Sequence, residues 1–209
     1  MWNRTNPQIE LTLWRHGETA ANKERRYLGK TDEGLSEEGK RLTEAAAGQL
    51  RQRIASGKAK APDQLFVSPM LRCLQSAQLL YPDIPAVIIP EWEEMDFGEF
   101  ECKNYEELKS DARYQAWIDS GGTLPFPGGE SREQFIARCK KGYERMRLSI
   151  RDDAESIGIV AHGGTLMALL STYGGGDYFN YQTGCASGFV CVMEADGRLA
   201  NICSNREKT

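Results

Sequence analysis

Hydrophobic positions along this chain form short apolar runs, separated by stretches with helical spacing. Ile9, Leu11 and Leu13 alternate with polar residues and stop at Trp14-Arg15, which predicts a strand feeding a glycine-containing turn. Ser36 to Ile54 places Leu42, Ala45, Ala46 and Leu50 on one face behind an N-cap serine, the signature of an amphipathic helix. Gln64-Leu65-Phe66-Val67 reads as a buried strand. Ser68-Pro69 then looks like an N-cap with proline at the first helical position, opening a helix from Met70 to Leu80.

Val87-Ile88-Ile89 predicts a third strand, ended by Pro90. One helix is expected near Tyr105 to Ile118, followed by a loop through Gly121 to Gly129. Ser131 and Gln134 form a capping box for a helix reaching about Ile150. Ile157 to Val160 is a fourth strand and Thr165 to Tyr173 a helix, stopped by Gly174-Gly175-Gly176. Phe189 to Met193 and Leu199 to Ile202 close the chain as two strands around an Asp196-Gly197 turn.

Strands that alternate with helices predict an α/β class: a three-layer α/β/α sandwich around a mostly parallel sheet with an antiparallel edge. Residues 1–209 are read as one domain, with a lid-like insertion around 91–130 that is acidic, aromatic and rich in Gly and Pro.

Composition narrows the partners. A net charge of −4 on 209 residues gives no nucleic-acid stripe and no polybasic membrane patch, so any bound anion must be held locally. No apolar run approaches a membrane span, and the first ten residues lack a signal-type apolar region, so a cytoplasmic location is expected. The six cysteines form no Cys-x-x-Cys pair and read as reduced thiols, so neither a disulfide framework nor a metal site is expected. A monomer or a homodimer is expected.

The candidate chemistry lies at the strand ends. The chain has two histidines, His16 after the first strand and His162 after the fourth, each followed by glycine. Arg15 stands beside the first, and Arg72 follows the second strand. In open α/β sheets, sites gather where strands end. Two arginines and two histidines meeting there would make a cationic pocket, and the planar arginine fork matches phosphate oxygens. Gly17, Gly163 and Gly164 would let backbone amides approach the same anion, at the start of a helix. Among the carboxylates Glu91, Glu93, Glu94, Glu99 and Glu101, Glu94 is favoured as an acid, with Glu93 its alternative. Tyr27, Trp117 and Phe126 are open to two roles, stacking against a leaving group or filling the core.

At these residues the chain resembles the histidine phosphatase superfamily, the phosphoglycerate-mutase-like fold. Arg15-His16-Gly17-Glu18-Thr19 with Asn22 resembles the nucleophile motif, and the stretch from Tyr27 through Gly29, Thr31-Asp32 and Leu35 to Gly39 resembles the segment after it. Ser68-Pro69-Met70-Leu71-Arg72-Cys73 with Ser76-Ala77 resembles the second-arginine motif. Glu94 to Glu101 resembles the acid segment, and Ala161-His162-Gly163-Gly164 the second-histidine motif. Where the family often has Trp-Glu-Gly, this chain has Phe100-Glu101-Cys102, and Leu28 stands where mutase-like members often have Gln. The resemblance implies His16 as nucleophile and Glu94 as acid and base. It implies Arg15, Asn22, Arg72, His162 and Gly163 around a phosphate, with a small phosphate monoester as substrate and no cofactor. Family mutases resemble a longer chain, so hydrolysis is expected here over phosphoryl return.

Overall fold

The computed structural model describes residues 8–205. Among these described residues, six strands form one sheet in the order β3-β2-β4-β1-β5-β6. The strands are β1 (Gln8–Arg15), β2 (Gln64–Val67), β3 (Ala86–Ile88), β4 (Ser156–Ala161), β5 (Gly188–Glu194) and β6 (Leu199–Ser204). β1, β4, β2 and β3 run parallel, while β5 and β6 add an antiparallel edge beside β1.

Alternation along the strands creates two cores. In β1, Ile9, Leu11 and Leu13 enter one hydrophobic cluster while Trp14 enters the other. In β2, Phe66 faces the first cluster, and Leu65 and Val67 face the second. In β4 the same division separates Ile157, Ile159 and Ala161 from Val160. Side chains of a strand point alternately to opposite faces, so both faces must be covered. Helices α2 (Glu37–Ala55) and α3 (Leu71–Leu80) pack together over the Trp14 face. Helices α6 (Arg132–Ser149) and α7 (Gly163–Gly174) pack together over the other. This is the three-layer α/β/α sandwich.

Local signals hold at several helix ends. Ser36 Oγ accepts from Gly39 N at 2.9 Å, and Ser131 and Gln134 make both bonds of a capping box. Two expectations are corrected. The helix foreseen over Tyr105 to Ile118 is two, α4 (Tyr105–Leu108) and α5 (Ala112–Asp119), because Asp111 accepts from Arg113 N and starts a new helix. Ser68 does not cap α3. The helix begins at Leu71, three residues after Ser68, and the Leu71 N–H donates to Asp32 Oδ1 at 2.7 Å. A carboxylate 39 positions away thus stands in for the local cap, and Ser68 is left for other work.

Residues 91–130 pack as an aromatic cluster against the first core. Tyr27 lies 5.1 Å from Phe97 and 6.0 Å from Phe126, and Trp117 lies 4.8 Å from Phe126. Of the two roles open to Tyr27, Trp117 and Phe126, the structure gives them the core. Arg138 of α6 fastens the segment by pairing with Glu130 and donating to the carbonyls of Glu91, Glu93 and Glu94. Cys102, where glycine is usual, takes φ 60°, so the turn survives with a side chain in the left-handed region.

Candidate active site

Sheet register brings the pieces together. Arg15 pairs with Ala161 across the parallel β1–β4 ladder, so His16 and His162 leave adjacent strands side by side. Their ring centroids are 5.2 Å apart. Val67 pairs with Val160 on the next strand, which sets Ser68 beside this exit and Arg72 one helical turn beyond it.

His16 is buried, and its Nδ1 lies 2.7 Å from the Gly17 carbonyl. A carbonyl can only accept, so Nδ1 carries the hydrogen and Nε2 keeps its lone pair. Gly17 is held by its own N–H to Ser76 Oγ at 2.9 Å, and a Cβ there would lie 2.3 Å from Thr43 Oγ1. Burial pushes His16 well below the ordinary value of 6.5, and the guanidinium charges of Arg15 and Arg72 push the same way.

Arg72 is fully buried. Nη2 donates to the Gly29 carbonyl at 2.8 Å and Nη1 to the Thr31 carbonyl at 3.0 Å, while Nε points at His162 Nδ1 at 3.4 Å. Those carbonyls are in turn fixed by Glu101, which accepts from Gly29 N and Thr31 N. Arg15 donates through Nη1 to the Thr183 carbonyl at 2.8 Å, and its buried Nε has no hydrogen-bond partner among the described residues. His162 precedes the first residue of α7 and is buried. Burial pushes its pKa well below 6.5, followed by the charges of Arg72, His16 and Arg15. Gly163 and Gly164 begin the helix, at the positive end of its dipole, and the Gly164 amide hydrogen-bonds to Glu94.

Of the five glutamates, Glu94 is the one at the histidines. Its Oε2 is 4.0 Å from His162 Nδ1, and Oε1 accepts from Met95 N at 2.9 Å. Burial raises its pKa, against the lowering effects of that amide and of Arg72 and Arg15. Glu91 pairs with Arg145, Glu99 with Arg113, and Glu101 serves the Gly29 loop. Glu93 contributes its carbonyl to Arg138. A Cβ on Gly164 would lie 2.6 Å from Glu94 Oε1, so only glycine gives the carboxyl this place.

Asn22 lies on the short helix α1 (Ala20–Lys23), and its Oδ1 accepts from Thr19 N in a capping box. Its hydrogen bonds go to Thr19 and Cys185 and not to the histidines or arginines. Sequence reasoning missed Ser68, which touches His162, and Tyr178, whose hydroxyl donates to the Gly164 carbonyl at 3.4 Å. Ser68 carried a signal, its place four residues before Arg72, but that signal was read as a helix cap.

A cleft of about 450 Å³ opens on this cluster, bounded by Arg15, Glu94, Gly163, Gly164 and the loop at Thr183. A larger groove of about 1140 Å³ runs along α6 past Ile136 and Leu148, away from both histidines. Among the described residues no three His, Cys, Asp or Glu side chains converge as a metal cage, and no helix is long and apolar enough to cross a membrane. A buried cationic pocket with an unprotonated ring nitrogen beside a buried carboxyl can accept a phosphoryl group and move a proton.

Comparison with known proteins agrees with this geometry. The model of the histidine phosphatase superfamily (branch 1) matches residues 11–201. The chain is 30% identical over 206 residues to a bifunctional protein of Mycobacterium tuberculosis, with 91% of this chain and 53% of that one covered. It thus spans about half the length of that relative. It is 31% identical over 167 residues to the adenosylcobalamin/alpha-ribazole phosphatase of Salmonella typhimurium, covering 78% of each. In fold it is similar to the crystal structure of the alpha-ribazole phosphatase from Shigella flexneri, with a TM-score of 0.80, 24% identity, and 96% and 98% of the two chains covered. The strand-end histidines, the buried arginine and the match across nearly all of the described residues place this chain in the histidine phosphatase superfamily.

Proposed function

We propose that this protein is a phosphomonoesterase that works through a phosphohistidine at His16. The observation that carries the reading is the bond from His16 Nδ1 to the Gly17 carbonyl, which leaves Nε2 unprotonated inside a pocket with two arginines. Nε2 attacks phosphorus, the phosphorus–nitrogen bond forms, and the bond to the leaving oxygen breaks in line. Arg15, Arg72, His162, the Gly163 amide and the Asn22 side chain hold the equatorial oxygens as charge moves. Glu94 gives its proton to the leaving oxygen, and burial and a bound dianion both favour the protonated carboxyl from which that step starts. As a carboxylate it then takes a proton from the water that attacks the phosphohistidine, releasing phosphate and restoring both groups.

For the substrate we propose α-ribazole 5′-phosphate. Similarity to the Salmonella enzyme supports this reading, together with the short segments Thr31 to Leu35 and Phe126 to Ser131. The competing reading is a phosphatase of broad range, favoured by the aromatic cluster of residues 91–130, whose rings pack on one another and so do not reserve a base-stacking face.

The test is a substrate panel compared by kcat/KM, including α-ribazole 5′-phosphate, 3-phosphoglycerate, sugar phosphates and nucleotides. Acid-labile label is trapped in the same preparation. Preference for the ribazole phosphate, label at His16 and loss of turnover in His16→Ala are expected. A flat profile overturns the substrate, and isomerisation of phosphoglycerate faster than its hydrolysis overturns the reaction. Label on another residue overturns the nucleophile.

A further inference from the structure

The two histidines of this chain are held by opposite nitrogens. In His16 the bonded nitrogen is Nδ1, at the Gly17 carbonyl. In His162, Nε2 lies 2.8 Å from Ser68 Oγ, and Nδ1 receives the Nε–H of Arg72 at 3.4 Å. A guanidinium can donate and never accept, so Nδ1 of a neutral His162 must carry the lone pair. The ring hydrogen is then on Nε2, donated to Ser68.

Ser68 is equipped to receive it. Its hydroxyl hydrogen-bonds to the Cys73 thiol, and burial pushes that thiol up to about 12, which keeps it protonated and inert. Ser68, His162 and Cys73 are all fully buried, so no water competes. The groups facing His162 come from every neighbouring element: Arg15 and His16 at the end of β1, Arg72 and Cys73 on α3, Glu94 on the loop, and Arg138 on α6.

We infer that Ser68 is a positioning residue that fixes His162 as the Nε2–H tautomer, so that Nδ1 faces Arg72, Glu94 and the phosphoryl site. When a dianionic phosphate binds, the Arg72 Nε–H turns from Nδ1 to a phosphate oxygen, a proton from solvent adds to the vacated Nδ1, and the imidazolium donates from there while Ser68 holds Nε2–H. No bond other than N–H changes. The catalytic consequence rests on the phosphatase reading, whereas the tautomer does not.

With two histidines in the chain, nitrogen-15 NMR of the imidazoles resolves both rings, and His16→Gln assigns them. The wild-type protein above pH 7.5 is expected to show one Nδ1–H ring, His16, and one Nε2–H ring, His162. An Nδ1–H ring for His162 overturns the inference whatever the variants do. Ser68→Ala is expected to mix the His162 tautomers, leave His16 unchanged and lower kcat about tenfold. A hydrogen bond from an imidazolium is stronger than one from a neutral ring, so losing Ser68 lowers the His162 pKa in the complex. The high-pH limb of kcat should therefore move to lower pH, and Ser68→Thr should restore limb and rate. A folded Ser68→Ala with an unmoved limb, or a Ser68→Thr as slow as Ser68→Ala, overturns the proposal. If the wild type hydrolyses no monoester, the function reading fails and the NMR spectrum still decides the tautomer.

Discussion

Single side chains acquire their chemistry here from what they touch. Burial alone would make His16 a neutral, inert ring, and the Gly17 carbonyl turns it into one with a defined free nitrogen. Glu94 differs from its acidic neighbours through burial and its 4.0 Å approach to His162, while Glu91 and Glu99 pair with arginines and Glu101 accepts from the amides of the Gly29 loop. General acid catalysis contributes on the order of a hundredfold or more, most where the leaving group is poorest. Glu94→Gln should therefore slow an alkyl phosphate by about that factor, barely slow an aryl phosphate, and remove the limb of the rate profile that Glu94 controls. Equal slowing of both substrates would move the acid elsewhere. The sequence could name Glu94 by motif. Its burial beside His162, which separates it from Glu93, belongs to the folded loop.

Elements decide where these groups stand. Most strands and helices were readable from period and caps, because Ser36, Ser131 and the apolar runs act over a few residues. The start of α3 was not, since its cap comes from Asp32, beyond any local window. That carboxylate also sits at the positive end of the helix that carries Arg72. Asp32→Ala should cost about 1 kcal/mol in denaturant unfolding, the usual value of a lost cap, and reduce kcat/KM through a looser Arg72. Asp32→Asn keeps an accepting oxygen and should recover most of the stability. Neutral behaviour of Asp32→Ala in both measurements would show that the bond to Leu71 contributes nothing. The split between α4 and α5 has a similar lesson: Asp111 is a helix starter within a run whose periodicity looked continuous.

At the scale of the whole molecule, a chain of net charge −4 builds a cationic pocket by setting Arg15 and Arg72 around two buried, neutral histidines at the ends of three strands. Burial of neutral rings has a consequence for stability. Both folded-state values lie below 6.5, so below that pH the unfolded chain takes up protons that the folded rings refuse. Stability should fall as pH drops from 7 to 5.5, by at most about 1.4 kcal/mol per pH unit for each histidine. Glu94 works in the other direction, since its raised value loses stability as pH rises through it. Thermal melts over this window check the sign: a melting temperature that stays level or rises on acidification contradicts it, and His162→Gln should flatten the slope.

The sequence by itself determined the element order, the sheet class and the residue types that gather at strand ends, because those follow from short-range periodicity, capping and motif. Only the tertiary structure decided which nitrogen of each ring is free, which glutamate is buried beside His162, and that Tyr27, Trp117 and Phe126 pack on one another. Apart from His16, whose Nδ1 is held by the adjacent Gly17 carbonyl, each of these depends on a partner dozens of residues away. Sheet register brings that partner close, and the exclusion of water makes its hydrogen bond decisive.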